Sequence, residues 1–153
     1  MAVPPPVSAS ILERLRGALG AAADRDAAMR EVVRILSGAH PHFTWTGIYL
    51  LEGDTLVLHN QVGDPTPHER IPVVKGICGL AAREGRTVVV PDVTRDPRFL
   101  ACSLSTRSEI VVPIRRDDRV FGEIDVDSDQ PDAFHDADRL LLEAVAAELA
   151  RLF

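Results

Sequence analysis

Residues 109–127 contain the pattern that most restricts the fold of this chain. Two runs rich in apolar and β-branched residues flank Asp117-Asp118, which predicts an antiparallel β-hairpin. In the second run, Asp125 and Asp127 alternate with apolar residues, so both carboxyl groups point to the same face of the strand. The hairpin therefore predicts a sheet with acids on one face and apolar side chains on the other.

The rest of the chain alternates between helical and strand patterns. Because strands joined by hairpins are antiparallel, and helices at both termini can cover one sheet face together, we predict an α+β fold. The Pro-rich start predicts a mobile segment over residues 1–10, followed by a single domain over residues 11–153. The predicted elements are helices near 11–19, 26–37 and 76–85, strands at 43–51, 55–59, 71–73, 87–90, 109–115 and 119–127, and a last helix that begins near Asp136 with Leu142, Val145, Leu149 and Leu152 as its buried stripe.

Charge and cysteine content exclude several classes of protein. A net charge of −6 argues against a protein that neutralises the phosphates of a nucleic acid. Two cysteines are too few for a disulfide-stapled secreted scaffold. The N-terminus lacks the pattern of a signal peptide, and no apolar run is long enough to span a bilayer. We therefore predict a cytoplasmic protein with reduced thiols that binds neither nucleic acid nor membrane.

The two thiols are the first candidates for chemistry. Cys102 lies in a loop of small polar residues, and the nearby Arg107 favours the thiolate, which is the reactive form. Cys78 lies at the start of a predicted helix, where backbone N–H groups and the helix dipole favour a thiolate as well. Each could instead be a small packing residue, as most free cysteines are. The two could also form a reversible dithiol pair.

Acidic and aromatic residues are the next candidates. Glu109 begins the strand paired with the one that carries Asp125 and Asp127, so three acids can meet. They could form a solvated sheet surface, or they could bind the ammonium group of a ligand, with Glu109 as a general acid. Trp45 and Tyr49 share a strand face and could be core residues or the wall of a ligand pocket. The histidines show no spacing typical of metal ligands, and no glycine-rich phosphate loop is present, so we expect neither metal nor cofactor.

Several motifs taken together resemble the GAF domain, and within that superfamily they are similar to the free methionine-(R)-sulfoxide reductases. The resemblance extends from about Leu15 to the C-terminus. It implies one central antiparallel sheet of about six strands, with the N- and C-terminal helices packed on one face. The motifs are Trp45-x-Gly47-x-Tyr49, Arg70-Ile71-Pro72, Gly76-Ile77-Cys78-Gly79, Pro91-Asp92-Val93, Ala101-Cys102, Ser108-Glu109-Ile110-Val111-Val112-Pro113 and Gly122-x-x-Asp125-x-Asp127-Ser128.

The resemblance also implies roles for the candidate residues. Cys102 matches the catalytic cysteine, which would attack free methionine sulfoxide and become a sulfenic acid. Glu109 and Asp127 match acids that handle the sulfoxide oxygen, and Asp125 matches an acid that helps to hold the substrate. Trp45 and Tyr49 would form the pocket wall. The implied partners are the zwitterionic substrate, a thioredoxin-type or low-molecular-weight thiol reductant, and a second copy of the chain in a homodimer.

One departure from the family pattern leaves the function open. The family usually has another cysteine just before the Arg70-Ile71-Pro72 strand, where it resolves the sulfenic acid, whereas this chain has His68 there. Either Cys78 resolves Cys102, or an external thiol does, or turnover is lost. The alternative function is a non-catalytic GAF module that binds a small ligand or senses redox state, and a structural dimerisation module is a weaker third interpretation.

Overall fold

A six-stranded antiparallel sheet forms the centre of the computed structural model, which describes residues 6–100 and 105–153, with side chains from residue 9 onward. The strands are β1 Trp45–Glu52, β2 Thr55–Val62, β3 Arg70–Pro72, β4 Val88–Val90, β5 Ser108–Arg116 and β6 Arg119–Ser128, in the order β3-β2-β1-β6-β5-β4. The predicted α+β fold with a central antiparallel sheet is confirmed. β3, which contains Pro72, is an edge strand, a position that tolerates a residue without an N–H donor.

The helices have recognisable starts and ends, and they are α1 Pro6–Ala21, α2 Arg25–Ser37, α3 Gly76–Glu84 and α4 Asp136–Ala150. The Asp24 side chain accepts a hydrogen bond from the backbone N–H of Ala27 and caps α2. Gly85, with φ of 61°, ends α3 in the left-handed conformation that glycine adopts most easily. None of the helices in the described ranges is both long and apolar enough to cross a membrane.

The apolar face of the sheet packs against α1, α2 and α4. On β6, Ile124 and Val126 point to this face and are fully buried, as the alternation predicted. The predicted packing of terminal helices on one face is therefore confirmed. This main core consists of side chains from the three helices, from β1, β5 and β6, and from the adjoining loops, including Leu15, Met29, Leu36, Ile48, Ile110, Val112, Leu142, Val145 and Leu149.

Two details of the terminal helices differ from the sequence prediction. Helix α1 begins at Pro6, before the predicted start near Ile11, because proline fits the first turn of a helix, where its missing N–H is not needed. The prediction that Leu152 is buried was wrong. Helix α4 ends at Ala150, and Leu152 lies beyond its end with 38% of its surface exposed. The predicted boundary between a mobile segment and a domain at residue 10 stays a prediction.

Strands β1 and β6 approach each other so closely at Gly122 that no side chain fits there. A Cβ atom added to Gly122 would lie 2.2 Å from the backbone oxygen of Tyr49, and backbone atoms cannot rotate away as a side chain can. We therefore expect Gly122→Ala to lower the free energy of unfolding by about 1–3 kcal/mol or more, as other overpacked sites do. Denaturant unfolding followed by circular dichroism measures this change.

Gly17→Ala is the matched control for that substitution. Gly17 lies within α1 and has no atom within 4 Å of the position its Cβ would occupy. Since alanine favours the helix over glycine, the control should raise the free energy of unfolding by up to about 1 kcal/mol. Equal effects of the two substitutions would contradict the close β1–β6 approach.

Candidate active site

Four carboxyl groups lie buried on the sheet face that points away from the terminal helices. Glu109 comes from β5, and Glu123, Asp125 and Asp127 come from alternate positions of β6. Glu109 is paired with Asp127 across the ladder, which places the β5 acid beside the β6 acids. Glu109 is 2% exposed, and the three β6 acids are fully buried. The predicted meeting of Glu109, Asp125 and Asp127 is observed, but as an enclosed cluster and not as a solvated surface.

Burial and mutual repulsion keep protons on this cluster. Burial, followed by the negative charges of Asp125 and Asp127, raises the pKa of Glu109 well above its ordinary range. Burial and the charge of Asp125 also raise the pKa of Asp127. Hydrogen bonds from Glu109 and Thr106 lower it and so oppose part of this effect. Within residues 9–100 and 105–153, no lysine, arginine or histidine forms an ion pair with Glu109 or Asp127. Glu109 and Asp127 therefore hold their protons to a higher pH than ordinary carboxylic acids do.

Glu123 is a member of the cluster that the sequence analysis missed. It pairs with Tyr49 on β1 and with Pro113 on β5, which places it in the middle of the sheet. Neither of its carboxyl oxygens has a hydrogen-bond partner of ordinary length among the described residues. Burial raises its pKa well above the ordinary value, while the nearby Cys78 thiol lowers it and Asp125 raises it further. The signal was available, because the apolar–acidic alternation of β6 begins at residue 123.

Cys78 faces the acid cluster from the helix that covers it. It is the third residue of α3, is 5% exposed, and donates a hydrogen bond from its thiol to Oδ2 of Asp125 over 3.5 Å. The start of α3 was predicted to favour a thiolate here. In this conformation the thiol lies as a donor against a carboxyl group, and the favoured thiolate stays a prediction.

Trp45 and Tyr49 lie on the same sheet face as the acids and are almost completely buried. The indole N–H of Trp45 donates to the backbone oxygen of Asp64, and the hydroxyl of Tyr49 donates to that of His68. The ring of Trp45 lies over Gly47, where an added Cβ would come within 2.5 Å of it. Both aromatic residues therefore border the cluster, and hydrogen bonds to the chain before β3 fix their positions.

Cys102 lies outside the described residues, so its position relative to the cluster stays a prediction. The described residues on either side of it do reach the site. Leu100 lines a cavity of about 10 Å³ together with Cys78 and Glu109. The Thr106 hydroxyl donates to Oδ2 of Asp127 over 3.4 Å. Leu100 and Thr106 thus each lie at the cluster.

A larger groove of about 510 Å³ lies elsewhere, between α4 and β5. Arg86, Arg115 and Glu143 line it, together with small and apolar residues. None of the residues predicted from the sequence to form the site line this groove, so its size does not make it the catalytic centre.

Comparison with known proteins agrees with this geometry. The model of the GAF domain matches residues 8–152. The chain belongs to the GAF domain family. This GAF domain is 34% identical over 104 residues to GAF domain-containing protein A of Dictyostelium discoideum, covering 68% of this chain and 66% of that protein. It is 36% identical over 108 residues to the free methionine-R-sulfoxide reductase of Escherichia coli, covering 71% of this chain and 65% of that enzyme. The match thus spans just under two thirds of the length of each.

A solved structure extends the similarity over the whole GAF domain. The free methionine-R-sulfoxide reductase of Neisseria meningitidis, solved in complex with its substrate, is 34% identical and superposes with a TM-score of 0.90. The superposition covers 100% of this chain and 93% of that one. The predicted resemblance to the GAF domain and to these reductases is confirmed.

Burial of Glu123 without a partner leads to a prediction about stability. Replacing it with methionine, which has a similar shape and no carboxyl group, should raise the free energy of unfolding by about 1–3 kcal/mol, because a buried group without a hydrogen bond is removed. Denaturant unfolding in a chelator-containing buffer measures the effect. As a control, Glu52→Met at the exposed end of β1 should change the free energy of unfolding by less than about 0.5 kcal/mol. Destabilisation by Glu123→Met would show that the carboxyl group stabilises the fold.

The same substitution should change how stability depends on pH. In the unfolded chain, glutamates titrate near the ordinary value of 4.5. The folded protein holds the Glu123 proton to a higher pH than that. The folded state therefore binds more protons above that pH, and this group's contribution to stability declines as pH rises toward the folded pKa. We expect the advantage of Glu123→Met over the wild type to grow with pH above about 4.5. An advantage that does not change with pH would contradict a raised pKa.

Proposed function

We propose that this GAF domain reduces free L-methionine (R)-sulfoxide to methionine, using Cys102 as the nucleophile. The observation that carries the proposal is the buried cluster in which Cys78, Glu109, Asp125 and Asp127 come together on one sheet face. These are the thiol and the acids that the reductase motifs contain. Similarity to named reductases, which covers 71% of this chain for the Escherichia coli enzyme and all of it for the Neisseria meningitidis structure, also supports the proposal.

Electrostatics favour a substrate that carries a positive charge. The cluster is acidic, and among the described residues no basic side chain forms an ion pair with Glu109, Glu123 or Asp127. The ammonium group of a free amino acid would supply the missing cation, and we assign this contact to Asp125. Trp45 and Tyr49 would form the apolar wall beside the methylthio end of the substrate. A methionine within a polypeptide has no free ammonium group, which would restrict the reaction to the free amino acid.

The proposed reaction moves one oxygen atom from the substrate to the enzyme. The Cys102 thiolate attacks the sulfoxide sulfur, and Glu109 donates a proton to the oxygen, assisted by Asp127. This attack forms a bond between the two sulfur atoms. The hydroxyl then passes from the substrate sulfur to the Cys102 sulfur as that bond breaks, which leaves a Cys102 sulfenic acid and releases methionine, reduced by two electrons. The raised pKa of Glu109 suits this role because the group keeps its proton to a higher pH than an ordinary glutamate does.

Cys78 is the candidate for resolving the sulfenic acid. Attack of its sulfur on the Cys102 sulfenic acid would form a disulfide and release the hydroxyl as water, using the proton that Cys78 shares with Asp125. A thioredoxin-type protein or a small thiol would then supply two electrons and two protons to restore both thiols. This scheme needs no third cysteine at His68. The proposal places the protein in the cytoplasm, where reducing conditions would restore both thiols. It also includes a homodimer that is joined through the terminal helices.

Substrate entry requires a change in the loop before β5. The cavity beside Cys78 and Glu109 measures about 10 Å³, which is room for about one water molecule. Leu100 closes this cavity and also packs against Gly76 at the start of α3. We therefore propose that the segment carrying Leu100 moves outward when the substrate binds.

A second function is favoured by the replacement of the usual cysteine by His68. A domain that forms a reversible Cys78–Cys102 disulfide without releasing methionine would be a redox sensor. It would show oxidation and reduction of the pair by mass spectrometry but no consumption of sulfoxide. The turnover assay therefore separates the two functions.

We predict that the reduced protein releases methionine from the free (R)-sulfoxide with dithiothreitol, and that Cys102→Ser abolishes this release. Cys78→Ser should retain turnover with dithiothreitol, because a small thiol can reduce the sulfenic acid directly, but should lose turnover with a thioredoxin system. Chromatographic quantitation of methionine measures both reactions. Release by Cys102→Ser at the wild-type rate would refute the reductase proposal.

Replacing the proposed proton donor should slow the chemical step. Glu109→Gln keeps the shape of the side chain and removes its acidic proton, so we expect kcat to fall by about 10²–10⁴-fold. Glu52→Gln, on the exposed end of β1, is the control and should leave kcat unchanged. Unchanged kcat in Glu109→Gln would assign the proton transfer to another group.

A further inference from the structure

Three donor groups from three different elements meet in the acid cluster. The sulfur of Cys78 on α3 and one carboxylate oxygen each from Glu109 on β5 and Asp125 on β6 all lie within 4.8 Å of one another. All three residues are buried. Such closeness of one thiol and two acids is costly unless protons or a cation neutralise them, since like charges repel strongly where water is excluded.

One donor separation in the cluster fits tetrahedral coordination. Bonds of about 2.3 Å from zinc to sulfur and about 2.1 Å to oxygen place sulfur and oxygen roughly 3.5 Å apart across a tetrahedral ion. The sulfur of Cys78 and Oδ2 of Asp125 are 3.5 Å apart. A donor set that mixes thiolate with carboxylate favours zinc and similar transition-metal ions over magnesium or calcium, which take oxygen ligands.

Two independent features of the site also point to a cation. The fully buried Glu123 lies close to Cys78 and Asp125, and neither of its carboxyl oxygens has a hydrogen bond of ordinary length within the described part of the chain. Next to Cys78 and Glu109 there is a cavity of about 10 Å³, enough for one water-sized particle. An ion bound there would face two of its ligands directly, with a water molecule or Asp127 available as the fourth.

We propose that Cys78, Glu109 and Asp125 form a binding site for a thiophilic divalent cation such as Zn²⁺, and that the bound ion inhibits the domain. Binding would displace the thiol proton of Cys78 and the protons held by the carboxyl groups. The ion would occupy Glu109 and Asp125, which are assigned above to proton donation and to the substrate ammonium group, so it would block the chemical step even with a small-thiol reductant. It would also keep Cys78 from forming the disulfide. Cation binding does not rest on the proposed function, whereas the inhibition does.

Metal binding is tested on the reduced, full-length chain without substrate. Titration with Zn²⁺ against a chromophoric chelator should show one site, and Co²⁺ should give a thiolate-to-metal charge-transfer absorption. Cys78→Ser and Asp125→Asn should each weaken binding by more than about 100-fold, because even residues outside the ligand shell cost 10–100-fold. If Cys78→Ser does not fold, the presence or absence of the Co²⁺ thiolate band in the wild type decides the question.

Two control variants test where the ion binds. Cys102→Ser should bind Zn²⁺ as the wild type does, because the proposed ligands include only the other thiol. A variant with both His40→Gln and His42→Gln removes the stacked histidine pair beside Asp138, the obvious alternative zinc ligands, and should also bind normally. Loss of binding in either control, unchanged binding in Cys78→Ser, or no binding by the wild type would overturn the proposal.

Inhibition is measured separately. With the monothiol 2-mercaptoethanol as reductant, which avoids the strong zinc chelation of dithiols, stoichiometric Zn²⁺ should suppress methionine release, and a chelator should restore it. If the wild type binds Zn²⁺ but releases no methionine even in metal-free buffer, the proposed metal site stands and the reductase function is rejected. Methionine release that persists when the site is saturated with Zn²⁺ would reject the inhibition.

Discussion

The rest of the molecule depends on one constraint, which is the burial of several carboxyl groups on one sheet face. These groups lie away from any basic side chain that the structure describes. A charge moved into the protein interior is costly unless it is paired, hydrogen-bonded or neutralised by a proton. Glu109, Glu123 and Asp127 respond with raised pKa values, so protons replace the missing cations. A cationic group that enters can take the place of one of these protons. The cluster can therefore either donate a proton or bind a cation, and the proposed chemistry uses both.

Strand β6 makes this arrangement possible because it builds two different environments at once. Its position between β1 and β5 fixes both neighbours by ladder hydrogen bonds, so its side chains cannot turn away from their faces. Ile124 and Val126 contribute to the main core on the helical face. Asp125 and Asp127 face α3 on the other side. Apolar burial on one face thus helps to hold the acids close together on the other, against their mutual repulsion.

Local periodicity was enough to predict the faces of the strands, whereas features that depend on distant contacts were missed. The alternation in β6 was sufficient to place Asp125 and Asp127 on one face, and the hairpin placed Glu109 beside them. Their burial depends on how α3 and the loop before β5 cross the sheet, which no short pattern specifies. Glu123 was overlooked because its neighbours Phe121 and Gly122 interrupt the alternation. Cys78 was correctly placed in the first turn of α3, but its hydrogen bond to Asp125 requires the tertiary packing.

Protons, an amino-acid ammonium group and a divalent cation are three solutions to the same electrostatic problem, and they differ in what they leave for Cys78. Protonation and ammonium binding both leave the thiol in place, able to react after its proton is transferred. A thiophilic ion instead bonds to the sulfur directly and removes it from chemistry. Under the two proposals made above, the geometry that brings Cys78 within 3.5 Å of Asp125 would therefore serve catalysis only in an environment where free transition-metal ions are scarce. Exposure to such ions would turn the same cluster from a reducing site into a metal site.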